Sequence, residues 1–160
     1  MLRRYLNFVP KVAPSAQIDD SAQVIGNVVI GERARVGANV TIRGDVNSIE
    51  IGEDTSIEDN SVLHCEADKF PLIIGKRVTV QHRAAVHGCV LDDDCVIGIG
   101  AIVLNGAKVG SASFVGAGSV VAEGNEIPPF SLAEGLPARV VRPLSATEVS
   151  ERERLRNAGN

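Results

Sequence analysis

A period of six residues runs through most of this chain and constrains its fold more than any local propensity does. An aliphatic side chain recurs at every sixth position from Val12 to Val121, with three changes of spacing. These positions are Val12, Ile18, Val24, Ile30, Val36, Ile42, Ile51, Ile57, Leu63, Ile74, Val80, Val86, Leu91, Ile97, Val103, Val109, Val115 and Val121. The residue four places later is usually small or β-branched, as at Ala22, Val46, Thr55 and Ala101. Such a short period predicts a stack of similar structural units.

This pattern resembles the hexapeptide repeat of left-handed parallel β-helix proteins, in which three short strands complete one triangular coil. The resemblance predicts an all-β fold of about six coils, running from about Val12 to Glu126. The aliphatic side chains would point into the prism and the small residues would fit its corners, where glycines such as Gly31 and Gly98 ease the turns. A β-sandwich is the alternative, but its turns recur at a spacing longer than six residues.

Composition agrees with a narrow prism filled by Val and Ile, since 44% of the residues are hydrophobic and only 3% are aromatic. A net charge of −4 gives no reason to expect a nucleic-acid or acidic membrane partner. No apolar run approaches the length of a membrane span, and no apolar segment typical of a signal peptide follows the arginines near the start. Cys65, Cys89 and Cys95 form no even disulfide framework, so we expect a cytoplasmic location.

The C-terminal part of the chain departs from the repeat. Pro128, Pro129, Pro137 and Pro143 predict an irregular return segment, so the β-helix domain with its lead-in would span 1–144. Ser145 and Glu148 then form a capping box, which predicts a short charged helix from about 146 to 157 within a C-terminal segment 145–160. We expect this helix to lie along the prism or a neighbouring subunit, and a solvated tail is the alternative.

The three histidines of the chain, His64, His82 and His87, occupy related places in the repeat. With three hexapeptides per coil, Arg43, His64 and His87 each follow the first residue of a third strand, in successive coils, and face outward as one column. Coils lie about 4.8 Å apart, so the two stacked histidines can bind one metal ion. Three imidazoles are the ligand set of a catalytic zinc. His82 follows a second strand, on another face of the prism.

A cyclic homotrimer would bring the three histidines together. Face three of one prism would meet face two of its neighbour, so that His82 of one chain approaches His64 and His87 of the other. Glu58 and Gln81 follow the first residue of second strands and would line the same cleft. Histidines scattered over the surface are the alternative.

Four motifs make the resemblance more specific. Arg-Gly-Asp at 43–45, Ser-Val-Leu-His at 61–64, and Thr-Val-Gln-His-Arg-Ala-Ala-Val-His-Gly-Cys at 79–89 are similar to the γ-class carbonic anhydrases and their bacterial and archaeal homologues, as is Gly-Leu-Pro-Ala-Arg-Val-Val-Arg at 135–142. The resemblance implies a trimer with one metal ion at each of three interfaces, bound by two histidines of one chain and one of its neighbour. Zn²⁺ is the expected metal, with Fe²⁺ or Co²⁺ as alternatives.

The resemblance also implies roles for further residues. The arginine and aspartate of the triplet, here Arg43 and Asp45, would hold the subunits and the site together, with Asp59 as the partner of Arg43 across the interface. Where the family usually has a glutamine, six residues before the first histidine, this chain has Glu58. An ionised glutamate cannot donate a hydrogen bond, and its charge raises the pKa of metal-bound water.

A second departure concerns proton transfer. The insertion between coils three and four is only about five residues long and carries Glu66, Asp68 and Lys69, and no fourth histidine is present to carry protons. The sequence and its resemblance thus predict a metal-dependent carbonate dehydratase, a lyase that hydrates carbon dioxide reversibly to bicarbonate. Glu58, when protonated or bridged by water, would orient the nucleophile with the help of Gln81, and an exposed repeat residue is the alternative for Glu58. The alternatives are a hexapeptide acyltransferase, which needs a histidine base but no metal, and a non-catalytic metal-binding assembly module.

Overall fold

Short parallel strands follow the six-residue period through the computed structural model of the protein, which describes residues 1–158. In chain order they are β1 (Leu2–Arg3), β2 (Lys11–Val12), β3 (Gln17–Ile18), β4 (Gln23–Ile30), β5 (Arg35–Val36), β6 (Thr41–Ile51), β7 (Ser56–Ile57), β8 (Val62–His64), β9 (Leu72–Ile74), β10 (Thr79–Val80), β11 (Ala85–His87), β12 (Val90–Leu91), β13 (Val96–Ile97), β14 (Ile102–Val103), β15 (Lys108–Val109), β16 (Phe114–Val115), β17 (Val120–Val121), β18 (Glu126–Ile127), β19 (Ser131–Gly135) and β20 (Ala138–Pro143). One helix, α1 (Ala146–Ala158), follows them. Residues 159–160, the end of the predicted C-terminal segment, lie outside the described residues.

The register of the strands confirms a left-handed β-helix with three hexapeptides in each coil. On the third face, for example, Ile42 pairs with Val24 of the coil before and with Leu63 of the coil after. The second face is an eight-stranded sheet that runs from β3 to β20, and the first and third faces form one twelve-stranded sheet. They are joined because the long strands β4 and β6 run from the third face of one coil into the first face of the next.

The interior and the corners of the prism hold the residue types that the repeat predicts. The aliphatic side chains are buried from Val24 onward and partly buried at Val12 and Ile18, and small residues such as Ala22 and Ala101 are fully buried at the corners. The buried hydroxyl of Thr55 donates to the Gly75 carbonyl at 2.8 Å, so this polar corner residue has a hydrogen-bond partner. Val46 differs from its prediction as a corner residue and is 48% exposed, since it lies in the widened spacing within β6.

The three cysteines are free and buried, in agreement with the prediction that they form no disulfide framework. Cys95 lies at a corner, as predicted. Burial raises the pKa of its thiol to about 12 and raises the pKa of Cys89 further still. Both thiols therefore stay protonated near neutral pH and act as small core residues.

The β-helix continues for one coil beyond its predicted end. Ile127 pairs with Val109, and Ala133 pairs with Val115, so the predicted irregular segment supplies two strands of a seventh coil. β19 then turns into the antiparallel strand β20. Pro128 is tolerated for a physical reason. In the sixth coil the N–H of Gly110 donates to the Ile127 carbonyl of the seventh coil, but the described residues form no eighth coil above Pro128 to accept such a bond.

The helix α1 begins where the capping box predicts. The Glu148 N–H donates to Ser145 Oγ at 3.2 Å, and the Ser145 N–H donates to Glu148 Oε2 at 2.9 Å. Farther along, Arg152 Nη2 donates to the Ala112 carbonyl at 2.8 Å, which places the helix along the prism. Among residues 1–158 no helix has the length and apolar character needed to cross a membrane.

We predict that the start of α1 is sensitive to acid. The hydrogen bonds from Arg142 and then Ser145 lower the pKa of Glu148 from its ordinary 4.5 to about 2. Because the pKa is lower in the folded state, these interactions stabilise the helix fully above pH 4.5 and are lost as the pH falls toward 2. Glu148→Gln should reduce the helical circular dichroism signal at pH 6 and differ little from wild type at pH 2. A difference that does not change with pH would contradict this role of Glu148.

Candidate metal centre

His64 and His87 lie side by side on the third face, because β8 and β11 pair there in register. His64 also pairs with Arg43 of the coil below, so the predicted column of Arg43, His64 and His87 is confirmed. His64 Nδ1 and His87 Nε2 are 2.9 Å apart, and the two rings meet edge to face with their centroids 4.9 Å apart. The His64 side chain is only 17% exposed. The repeat thus brings two imidazoles of one chain to a single, largely sheltered point.

The far side of each ring has its own hydrogen-bond partner. His64 Nε2 lies 2.9 Å from Asp45 Oδ1, and the other oxygen of Asp45 accepts from Arg43 Nη1 at 2.6 Å. His87 Nδ1 lies 2.5 Å from the side-chain oxygen of Asn105. The family resemblance of the sequence indicates Asp45 as a site residue, but no motif indicates Asn105, which stands two residues after an ordinary repeat position. Arg43, Asp45 and His64 form one hydrogen-bonded chain, and His87 and Asn105 form a second hydrogen-bonded pair beside it.

These partners determine which nitrogen of each ring carries a hydrogen. Carboxylate and amide oxygens only accept, so His64 must donate from Nε2 and His87 from Nδ1. In the neutral rings, the remaining nitrogens then present lone pairs to each other across 2.9 Å. Lone pairs at this distance repel unless a cation, either a proton or a metal ion, lies between them.

The donor set fits a zinc-type ion. Imidazole nitrogens are ligands that zinc, iron and cobalt accept, and a ligand histidine usually donates its other N–H to a carboxylate or carbonyl. At a tetrahedral zinc the two nitrogens would be about 3.4 Å apart, only slightly farther than the 2.9 Å between His64 and His87. A modest opening of the pair would therefore let both nitrogens reach one ion.

Asp45 remains ionised in this setting. Burial by itself would raise the pKa of its carboxyl, but the hydrogen bonds from His64 and Arg43 and the charge of Arg43 outweigh burial and lower the pKa below its ordinary 3.8. A negative charge is thus held next to His64 at neutral pH. This charge makes the nitrogen of His64 that faces His87 a stronger ligand for a cation.

His82 lies apart from this pair, at the end of the second face beyond β10. Its side chain is 50% exposed. Glu58 Oε2 lies 3.2 Å from the ring nitrogen Nε2 of His82 and accepts a hydrogen bond from the backbone N–H of His82 at 3.3 Å. Gln81 lies directly above Glu58, because Val80 pairs with Ile57. Within residues 1–158 of one chain, no three His, Cys, Asp or Glu side chains converge to hold a metal ion.

The region around Glu58 and His82 forms an open groove on the second face. The groove continues down to the first coil and carries several polar side chains: Gln17, Arg35, Ser56, Glu58, Asp59 and His82. Asp59 Oδ1 accepts the Ala38 N–H at 2.9 Å, and within one chain the Arg43 guanidinium bonds to Asp45. The predicted pairing of Arg43 with Asp59 is one between subunits.

Comparison with known proteins agrees with the fold and with the family that the motifs resemble. Residues 10–44 match the bacterial transferase hexapeptide family (six repeats). The chain is 43% identical to a carbonic anhydrase of Geobacillus kaustophilus over 98% of this chain and 85% of that protein. It is 38% identical to the mitochondrial gamma carbonic anhydrase 1 of Arabidopsis thaliana over 88% of this chain and 53% of that protein.

A solved structure from Bacillus cereus, described as a putative acetyltransferase, is 40% identical and superposes with a TM-score of 0.95 over 98% of this chain and 91% of that one. Fold and repeat together define a hexapeptide-repeat β-helix protein. Within that class, the identity over nearly the whole chain is decisive, and the chain belongs to the γ-class carbonic anhydrase family.

Proposed function

We propose that this protein is a metal-dependent carbonate dehydratase that hydrates carbon dioxide reversibly to bicarbonate. The observation that carries the proposal is the convergence of the His64 and His87 lone pairs, with Asp45 and Asn105 on the outer nitrogens. When bound, Zn²⁺, or Fe²⁺ or Co²⁺ in its place, supplies a hydroxide nucleophile at neutral pH by lowering the pKa of water from about 15.7 toward about 7. The free cysteines and the absence of a disulfide framework support a cytoplasmic location.

We further propose that the site is completed in a homotrimer. The third face presents apolar side chains beside the histidine pair, with Val62 49% exposed and Ile102 37% exposed. The second face offers a groove with His82 at its edge. Packing the third face of one subunit on the second face of the next would cover the apolar side chains and bring His82 to His64 and His87.

The other predicted site residues have roles that follow from their contacts. Asp45 orients His64 and supplies negative charge behind it, and Arg43 holds Asp45 through a charge-assisted hydrogen bond. Glu58 orients His82 through two contacts to the same carboxylate oxygen. Glu58 and Gln81 line the cleft from the side that donates His82, where their polar ends orient the reacting groups and Glu58 can accept a proton.

Stopped-flow hydration of carbon dioxide by protein purified without oxygen, with its metal content measured in parallel, tests the proposed activity. The wild type should turn over in proportion to bound metal, and His87→Ala should lose both the bound metal and the turnover.

The acyltransferase alternative is favoured only by the descriptions of the repeat family and of the Bacillus cereus structure. Acetyl transfer by metal-free protein would support it, whereas bound metal without hydration would indicate a non-catalytic module.

Arg43→Ala is expected to weaken the trimer. The guanidinium is 46% exposed in a single chain and lies on the proposed interface, where it can bond to Asp45 and to Asp59 of the neighbouring subunit. Leaving a carboxylate without its partner at a desolvated interface costs about 3 kcal/mol, which corresponds to roughly a 100-fold weaker association. Sedimentation at low protein concentration measures the change. Arg33→Ala is a control, since Arg33 pairs with Asp54 at another corner of the prism. Equal behaviour of the two variants would contradict the interface role.

Glu58→Gln is expected to shift the pH profile of hydration toward lower pH. An ionised carboxylate beside the metal opposes any step that builds negative charge there, and the amide keeps the shape while removing the charge. Metal content and the trimer should stay unchanged. An unshifted profile would place Glu58 outside the catalytic cleft, and an upward shift would mean that Glu58 assists by accepting a proton.

A further inference from the structure

We infer that Asn105 is a positioning residue of the metal centre, which holds His87 with its Nε2 lone pair aimed at His64. The inference rests on the proposed metal site. Asn105 Oδ1 lies 2.5 Å from His87 Nδ1, so the amide oxygen accepts the ring N–H. The lone pair of His87 Nε2 is then free to bind a cation. Without this acceptor, the lone pair of His64 Nδ1, 2.9 Å away, would favour the tautomer that carries its proton on His87 Nε2, the nitrogen that a metal ion needs free.

The backbone around Asn105 is shaped for this contact. Gly88 follows His87 directly and has a φ of +51°. A Cβ at Gly88 would lie 2.6 Å from Asn105 Oδ1, so a larger residue would displace the amide. The Gly124 N–H donates to the Asn105 carbonyl at 2.9 Å, and the Gly106 N–H donates to the Gly88 carbonyl at 2.8 Å. Hydrogen bonds between coils thus hold both ends of the contact in place.

Phe70 covers the same place from the loop between coils three and four. Its Cβ and carbonyl lie against Gly88, and its ring lies against Gly106. With Asn105 and four neighbouring residues of the loop, Phe70 also lines an open cavity of about 320 Å³. Phe70 thus packs against the two glycines whose backbone holds the contact between His87 and Asn105.

Asn105 and Asp45 play parallel but unequal parts. Both accept from the outer nitrogen of a stacked histidine, but Asp45 does so with a charged carboxylate and Asn105 with a neutral amide. The two stacked histidines thus have one negative charge beside them instead of two. Asn105 directs His87 without further offsetting the positive charge of the metal.

The test compares Asn105→Leu, which removes the acceptor, with Asn105→Asp, which keeps it. Asn125→Leu is the matched control, because Asn125 is also partly buried and its side-chain amide donates to the Ala138 carbonyl. ¹⁵N NMR of the imidazole nitrogens in metal-free protein reports the tautomer of His87, and chelator competition with Zn²⁺ reports affinity. Both readouts are independent of turnover.

In wild type, Asn105→Asp and the control, the His87 Nδ1 resonance should be that of a protonated nitrogen. In Asn105→Leu the proton of His87 should move to Nε2, where His64 Nδ1 accepts it, and Zn²⁺ affinity should fall roughly 10–100-fold. A wild-type tautomer and affinity in Asn105→Leu would overturn the inference. If Asn105→Leu does not fold, Asn105→Ala tests the same tautomer change. A wild type that binds no Zn²⁺ would instead contradict the proposed function, and the tautomer readout would still decide the role of Asn105.

Discussion

Mixed trimers of His64→Ala and His82→Ala subunits are expected to recover metal binding that neither variant has alone. In the proposed trimer each site takes His64 and His87 from one chain and His82 from the next. Every cyclic trimer that contains both variants then has one interface with all three histidines intact. Random mixing of equal amounts should restore about one quarter of all sites, and metal analysis of the reassembled protein measures this fraction.

The matched control is a mixture of His64→Ala and His87→Ala subunits. These two side chains lie 2.9 Å apart in the same chain, so no arrangement of the two variants restores a complete pair. This mixture should bind no more metal than either variant does. Recovery in the control, or none in verified trimers of the first mixture, would be incompatible with a site shared between subunits.

Asp45→Asn is expected to weaken metal binding roughly 10–100-fold, the usual effect of losing a partner that orients a ligand histidine. The asparagine can still accept from His64, but it lacks the charge that holds Arg43 and can present its NH₂ group to the ring instead. Asp45 accepts from both neighbours at 2.6 and 2.9 Å, so the change affects the whole hydrogen-bonded chain.

Competition with a chelator of known affinity measures the effect of Asp45→Asn. Asp54→Asn is the control, since Asp54 also pairs with an arginine, Arg33, but lies away from the histidines. Equal affinities in the two variants would mean that Asp45 serves the fold and not the metal.

The fold followed from the sequence alone because the period of the side chains is also the period of the structure. Three hexapeptides close one coil, so counting sixes from Val12 predicts which residues pair, and the Arg43, His64 and His87 column appeared in the register as counted. The capping box at Ser145 was equally readable, because a helix cap depends on residues three apart. Both patterns are local or strictly repeated.

The features that only the tertiary structure decided depend on contacts between a residue and the adjacent coil. Pro128 looked like a break in the repeat, but it sits where no further coil requires its N–H. Asn105 is 18 residues from His87 in sequence, and nothing in its own segment marks it as a partner of that ring. Stacking turns such distant residues into neighbours, and the choice of rotamer then determines whether they bond. The period determines which residues face each other, whereas hydrogen-bond geometry and packing determine which atoms meet.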